Sequence, residues 1–192
     1  MGKLNRAKGY DIFGEAIVKI LDKYPDWKSN VFGDEPREKL FYKHKNLKLM
    51  GFKQHEVVLN NFKKSSITVV CSRWQEPFGR TSLEASSRGC AVIISNRGGL
   101  PETVTNAIIL KKLNQNTLYK ELSNLIENNK KRLKLQKSSL VNFYLTNKFV
   151  CRQIDSYRSL IIQKKKESVK TKKTKFKFLH ITNFNERHNG RL

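Results

Sequence analysis

The chain has 192 residues, 38% of them hydrophobic and 10% aromatic, which is enough to build the core of one ordinary domain. Lysine and arginine outnumber the acids by 39 to 16, giving a formal net charge of +23; many of these lysines are dispersed along polar stretches, as a solvated surface would have them, so charge alone does not select nucleic acid or membrane as a partner. No apolar run is long enough to cross a bilayer, no secretory leader opens at Met1, and Cys71, Cys90 and Cys151 lack metal-ligand spacing. A cytoplasmic location is expected, at most peripheral to the inner face of a membrane, with the cysteines as small buried apolar residues.

Residues 2–9, GKLNRAKG, form a glycine-flanked basic loop running into a helix that Asp11 is expected to cap, with Ile12, Phe13, Ala16, Ile17 and Ile20 on one face. A short strand ends at 31–34, a modest polar helix is expected over 35–43, and 47–52 alternates as a strand. The helix predicted over 55–64 turns Val57, Val58 and Phe62 inward and leaves His55 as a surface residue at its start. Residues 67–71 and 91–95 are β-branched runs too uninterrupted for half-exposed strands, which suits a parallel sheet buried on both faces. Between them a helix is opened by Pro77, Gly79, Thr81 and Ser82 and stopped at Gly89. A further strand is predicted over 107–110, then an amphipathic helix over 116–127 with Leu118, Leu122, Leu125 and Ile126 as its apolar face. Residues 130–137 continue as a basic helix or loop, and 143–162 carries Phe149, Val150, Ile154, Tyr157 and Leu160 at helical spacing. The expected fold class is α/β, a Rossmann-like parallel sheet flanked by helices over 1–162. A lysine-dominated, solvated linker is expected over 163–175, and 176–192 reads as a new strand and polar loop, the start of a second domain or a disordered tail.

Chemistry concentrates in 67–102. Ligands of open α/β sheets collect beyond the carboxyl ends of the strands, and there the first helical amides, Phe78, Gly79, Arg80 and Thr81, have no intrahelical partners. They suit an anion, held by N–H groups and the positive end of the helix dipole. Carboxylates so close to a phosphate must face something else, and a vicinal diol is the natural partner. Glu76 just before the helix and Glu84 inside it therefore point to a ligand with a phosphate core and a diol at each end, which describes a nucleotide-sugar.

Glu76-Pro-Phe-Gly-Arg-Thr-Ser-Leu-Glu84, followed by Ala85, Gly89, Ala91-Val92-Ile93 and Gly98-Gly99-Leu100-Pro101-Glu102, resembles the donor-binding half of retaining GT-B glycosyltransferases of family four, the glycosyl transferases group 1. The resemblance runs from Gly2 to about Leu160. It implies that Glu76 binds sugar hydroxyls near the reacting carbon as the catalytic-site acid, that Glu84 binds the ribose diol, and that backbone near Gly51 meets the base. In the family's first loop an arginine and, five residues later, a lysine hold the donor diphosphate; Lys8 matches the lysine, whereas Lys3 fills the arginine position, keeping charge but losing the bidentate fork. Arg6 is a candidate substitute. The resemblance further implies a strand and a whole acceptor-binding domain ahead of this loop, so the chain is expected to be a fragment of a longer protein, or to have a misassigned start codon, with an open slot in its sheet. No metal or other cofactor is expected, since no Asp-x-Asp pair is present and the nucleotide-sugar is a co-substrate.

The reaction implied is transfer of a hexose-like sugar, with retention, from a nucleotide diphosphate sugar to an acceptor hydroxyl of a sugar, lipid or polysaccharide. The rival readings are a nucleotide-sugar-binding domain without turnover, a GT-B-fold nucleotide-sugar epimerase, and a basic nucleic-acid-binding protein. The lysine-rich 163–175 also leaves an anionic membrane surface as a candidate partner.

Overall fold

A computed structural model describes residues 2–171. The chain divides into two units, 1–146 and 147–192. In order, the first contains α1 (Tyr10–Lys23), β1 (Ser29–Val31), β2 (Leu47–Leu49), α2 (His55–Lys64), β3 (Ile67–Val70), α3 (Arg80–Ser86), β4 (Ala91–Ser95), a 3-10 turn (Leu100–Thr103), β5 (Ala107–Leu110), α4 (Gln115–Glu127) and α5 (Asn129–Val141). Every strand pair is parallel, Ser29 opposite Leu47, Ile67 opposite Ala91 and Val92 opposite Ala107.

β4 is the centre of the core, with all five residues buried. Alternation sends Ala91 and Ile93 to one face, where they meet Ile12, Ala16, Ile17 and Ile20 of α1 and Leu118, Leu122 and Leu125 of α4. Val92 and Ile94 go to the other, with Val58 and Phe62 of α2, Ala85 of α3 and Leu100. Helices thus cover both faces of the sheet, as the uninterrupted apolar runs require.

The strands form two separate sheets, β1–β2 and β3–β4–β5. Between the β1 and β3 edges lies a cavity of about 650 Å³, lined by Ser29 to Phe32 on one side and Ile67 to Ser72 on the other and floored by Ile17, Ile20 and Leu122. β3 faces this space, which is why its four residues are only half-buried where burial on both faces was expected. One strand inserted here would give the doubly wound order 3-2-1-4-5-6.

Four local expectations change. Residues 35–43 form no helix: Pro36 follows Glu35, whose carboxylate folds onto the Arg37 guanidinium at 2.8 Å, and the chain turns at 36–38 before setting the Tyr42 ring edge-on to Tyr10 and against the bare backbone of Gly14. Asp11 does not cap α1; Gly9 is the cap residue, and Asp11 sits in the first turn. Val57 is 41% exposed, because neighbouring helical positions cannot both face inward and Val58 takes the core. Cys71 and Cys90 are buried, but Cys151 is exposed.

The second unit is described only as α6, a single helix from Asn147 to Thr171. It runs on through the first part of the stretch expected as a linker, where Gln163 Nε2 donates to Glu167 Oε1 at 3.1 Å; Gln, Lys and Glu are strong helix formers. The rest of that linker and the tail read over 176–192 lie outside the described residues. Among the described residues no helix is long and apolar enough to cross a membrane.

Candidate active site

The loop ahead of α1 is pinned to the end of β3. The Ala7 carbonyl accepts from the amides of Arg73 (2.9 Å) and Trp74 (3.1 Å). Arg73 reaches back with both terminal guanidinium nitrogens, Nη1 to Asp11 Oδ1 at 2.5 Å and Nη2 to Asp11 Oδ2 at 2.7 Å, while Nη1 also donates to the Arg6 carbonyl. Burial pushes the Asp11 carboxyl up, but the hydrogen bonds and charge of Arg73 outweigh it and hold it below the ordinary aspartate range. Gly9 has φ 71°, and a Cβ there would fall 1.9 Å from the Cys71 carbonyl oxygen, so the loop approaches the strand as only glycine allows. Burial likewise pushes the Cys71 thiol up to about 12.

This brace aims Lys8 at the rim of the cavity. Lys8 Nζ lies 2.6 Å from Glu76 Oε1, and the Glu76 side chain is only 15% exposed. Lys3, Lys8, Glu76, Gly79, Arg80 and Thr81 all line the same space between β1 and β3. Phe78 stands beside them, 55% exposed. Arg6 turns away to pair with Glu38 at 3.0 Å.

Glu84 lies one turn into α3 and is 9% exposed. Its Oε1 accepts from Arg80 Nε and from His55 Nε2, each at 2.8 Å, while its Oε2 is buried with no hydrogen-bond partner. His55 is the exposed first residue of α2, as expected, and it also meets this carboxylate. Only the fold brings it to a carboxylate 29 residues on; no local pattern in the sequence signals the pair.

A second support also escaped the sequence reading. Gly99 N donates to the Glu76 carbonyl at 2.7 Å, and a Cβ on Gly98, which has φ 53°, would fall 2.3 Å from that same oxygen. Ser82 Oγ and Thr103 Oγ1, both buried, lie 2.7 Å apart and tie α3 to the 3-10 turn. The Gly-Gly-Leu-Pro-Glu loop thus backs the Glu76–Gly79 segment, and its Leu100 forms part of the cavity wall. The arrangement gathers Lys3, Lys8, Glu76 and Arg80 around one space at the start of α3, whereas Glu84 lies outside its lining.

The sequence model of the family described as glycosyl transferases group 1 matches residues 1–140. The chain belongs to the group 1 glycosyltransferases. Spore coat protein SA of Bacillus subtilis is 31% identical over 159 residues, which cover 72% of this chain and 41% of that protein. The lipopolysaccharide core biosynthesis mannosyltransferase LpsB of Rhizobium meliloti is 26% identical over 114 residues, 54% of this chain and 32% of its own length. Among solved structures, the C-terminal domain of a group 1 glycosyl transferase (LpcC) from Francisella tularensis superposes with a TM-score of 0.66 at 28% identity, covering 73% of this chain and 80% of that one. HepE of Anabaena, solved in complex with UDP-glucose, gives a TM-score of 0.66 at 20% identity over 82% of this chain and 48% of its own. The fold is the C-terminal half of a GT-B glycosyltransferase. This glycosyltransferase chain spans about two fifths of the curated relatives it matches, 41% and 40% for the first two.

Proposed function

We propose that the chain is the donor-binding half of a retaining glycosyltransferase that moves a hexose-like sugar from a nucleotide diphosphate sugar to an acceptor hydroxyl. The observation that carries this reading is the pair of nearly buried carboxylates around one helix start, with Glu84 Oε2 lacking any partner. A buried carboxylate oxygen without a donor is costly unless a ligand supplies one. The nucleotide complexes of HepE support a nucleotide-sugar as that ligand.

In this reading the donor pyrophosphate lies against the amides of Phe78, Gly79, Arg80 and Thr81, and Lys3 and Lys8 offset the charge that grows on it as the glycosidic bond breaks. Glu84 accepts from the ribose hydroxyls. Glu76 accepts from sugar hydroxyls next to the reacting carbon, and the Lys8 ammonium it now holds is released to the phosphate. The leaving phosphate oxygen takes the acceptor proton on the same face, which gives retention, and no step needs a metal. An extended segment leading into residue 2 would fill the slot between β1 and β3, and a separate domain would supply the acceptor.

Titration calorimetry with UDP-glucose tests this. Weak binding by the chain, reduced about tenfold or more in Glu84→Gln, is expected from loss of a hydrogen bond to a charged group; binding unaltered in that variant would remove the reading. A nucleotide-sugar-binding role without turnover is the second reading. Transfer to a supplied sugar acceptor separates the two.

A further inference from the structure

His55 is the first residue of α2, and α2 packs against α3. Its imidazole, about half exposed, meets the nearly buried Glu84 with Nε2 2.8 Å from Oε1. Arg80 approaches the same oxygen from within α3, also at 2.8 Å. The result is lopsided: two donors on Oε1 and none on the buried Oε2. A carboxylate kept only for structure is expected to have both oxygens satisfied, whereas one locked through a single oxygen presents the other in a fixed direction. The two locks are not equivalent. Arg80 also lines the cavity beside Lys8 and Glu76, whereas His55, like Glu84 itself, lies outside that lining.

We propose that His55 is a positioning residue for Glu84: donating from Nε2 to Oε1, it holds the carboxylate so that Oε2 is the oxygen offered to the ligand diol, and it keeps that hold when Arg80 turns to the ligand's phosphate. This rests on the reading of Glu84 as the diol-binding group. His55 touches no reacting atom and acts through Glu84 alone.

The test compares UDP with 2′,3′-dideoxy-UDP, which lacks the diol, as ligands for the wild-type chain, Glu84→Gln, His55→Ala and His55→Gln. Equal affinity of the wild type for the two nucleotides, or a preference for UDP that survives in Glu84→Gln, overturns the diol reading and the proposal with it. If Glu84→Gln abolishes the preference, the proposal requires His55→Ala to lose most of it too, an effect of about tenfold for a charge-assisted hydrogen bond. Affinity for the dideoxy compound should stay within about twofold on the same hydrogen-bond scale. His55→Gln places an amide Nε2–H where the imidazole nitrogen stood and should restore the preference. Retention of the preference in His55→Ala overturns the positioning role while leaving the diol reading intact. Loss in both His55 variants assigns the effect to packing and also overturns it. Should His55→Ala melt far below the wild type, His55→Phe, which fills the site without a donor, takes its place under the same criteria.

Discussion

Glu84 shows how a single residue carries information that its neighbours in sequence do not. Its burial follows from α3 packing on β4, yet its hydrogen bonds come from Arg80 on its own helix and from His55 on another. Gly98 acts at the same scale. With φ 53° and the Glu76 carbonyl only 2.3 Å from where a Cβ would stand, Gly98→Ala must push the Glu76 segment outward. The left-handed backbone alone costs about 1–3 kcal/mol for a non-glycine residue. Thermal denaturation should show that loss, and nucleotide binding should weaken with it. Asp11 makes a pH prediction. Its folded-state pKa is lowered, so the Arg73 pair contributes stability that is fully present above the ordinary aspartate pKa and is lost as pH falls through the lowered native value. The melting temperature of wild type minus that of Asp11→Asn should therefore shrink as the buffer is taken from neutral into that acid range. A difference independent of pH would assign the pair no such role.

At the scale of elements, β4 and the helices around it were legible because burial on both faces leaves an uninterrupted apolar run and amphipathic helices keep their period. Ile93 is wholly buried against α1 and α4, and Ile93→Ala should cost about 2–5 kcal/mol in urea unfolding. Cys71 and Cys90 should resist a thiol reagent until the protein unfolds, whereas exposed Cys151 should react at once. Legibility failed where tertiary contacts outvote composition. The polar stretch 35–43 has the residues of a surface helix, but Leu40 and Tyr42 pack onto the α1 core and Pro36 breaks the start. The candidate site was half legible. Lys8, Glu76, Gly79 and Glu84 follow from motif spacing, but His55, Gly98 and the Arg73–Asp11 brace depend on approaches between segments that lie from 22 to 62 residues apart, for which sequence has no periodic signature.

Across the whole molecule, the two sheets leave a slot between them, and Lys3, Lys8 and Glu76 line it. An extended apolar segment of about five residues placed ahead of Gly2 should pair with both open edges, covering backbone groups that β1 and β3 now leave to the cavity. Such a lengthened chain is expected to melt higher than this one, and an unchanged melting temperature would argue against a strand in the slot. The site's own logic is tested most directly by a crystal structure of the chain soaked with UDP-glucose. The pyrophosphate is expected against the amides of 78–81, with Lys8 transferred from Glu76 to a phosphate oxygen and Glu84 Oε2 within hydrogen-bond distance of a ribose hydroxyl. Nucleotide bound elsewhere, or bound there with Glu84 still turned only to Arg80 and His55, would contradict it.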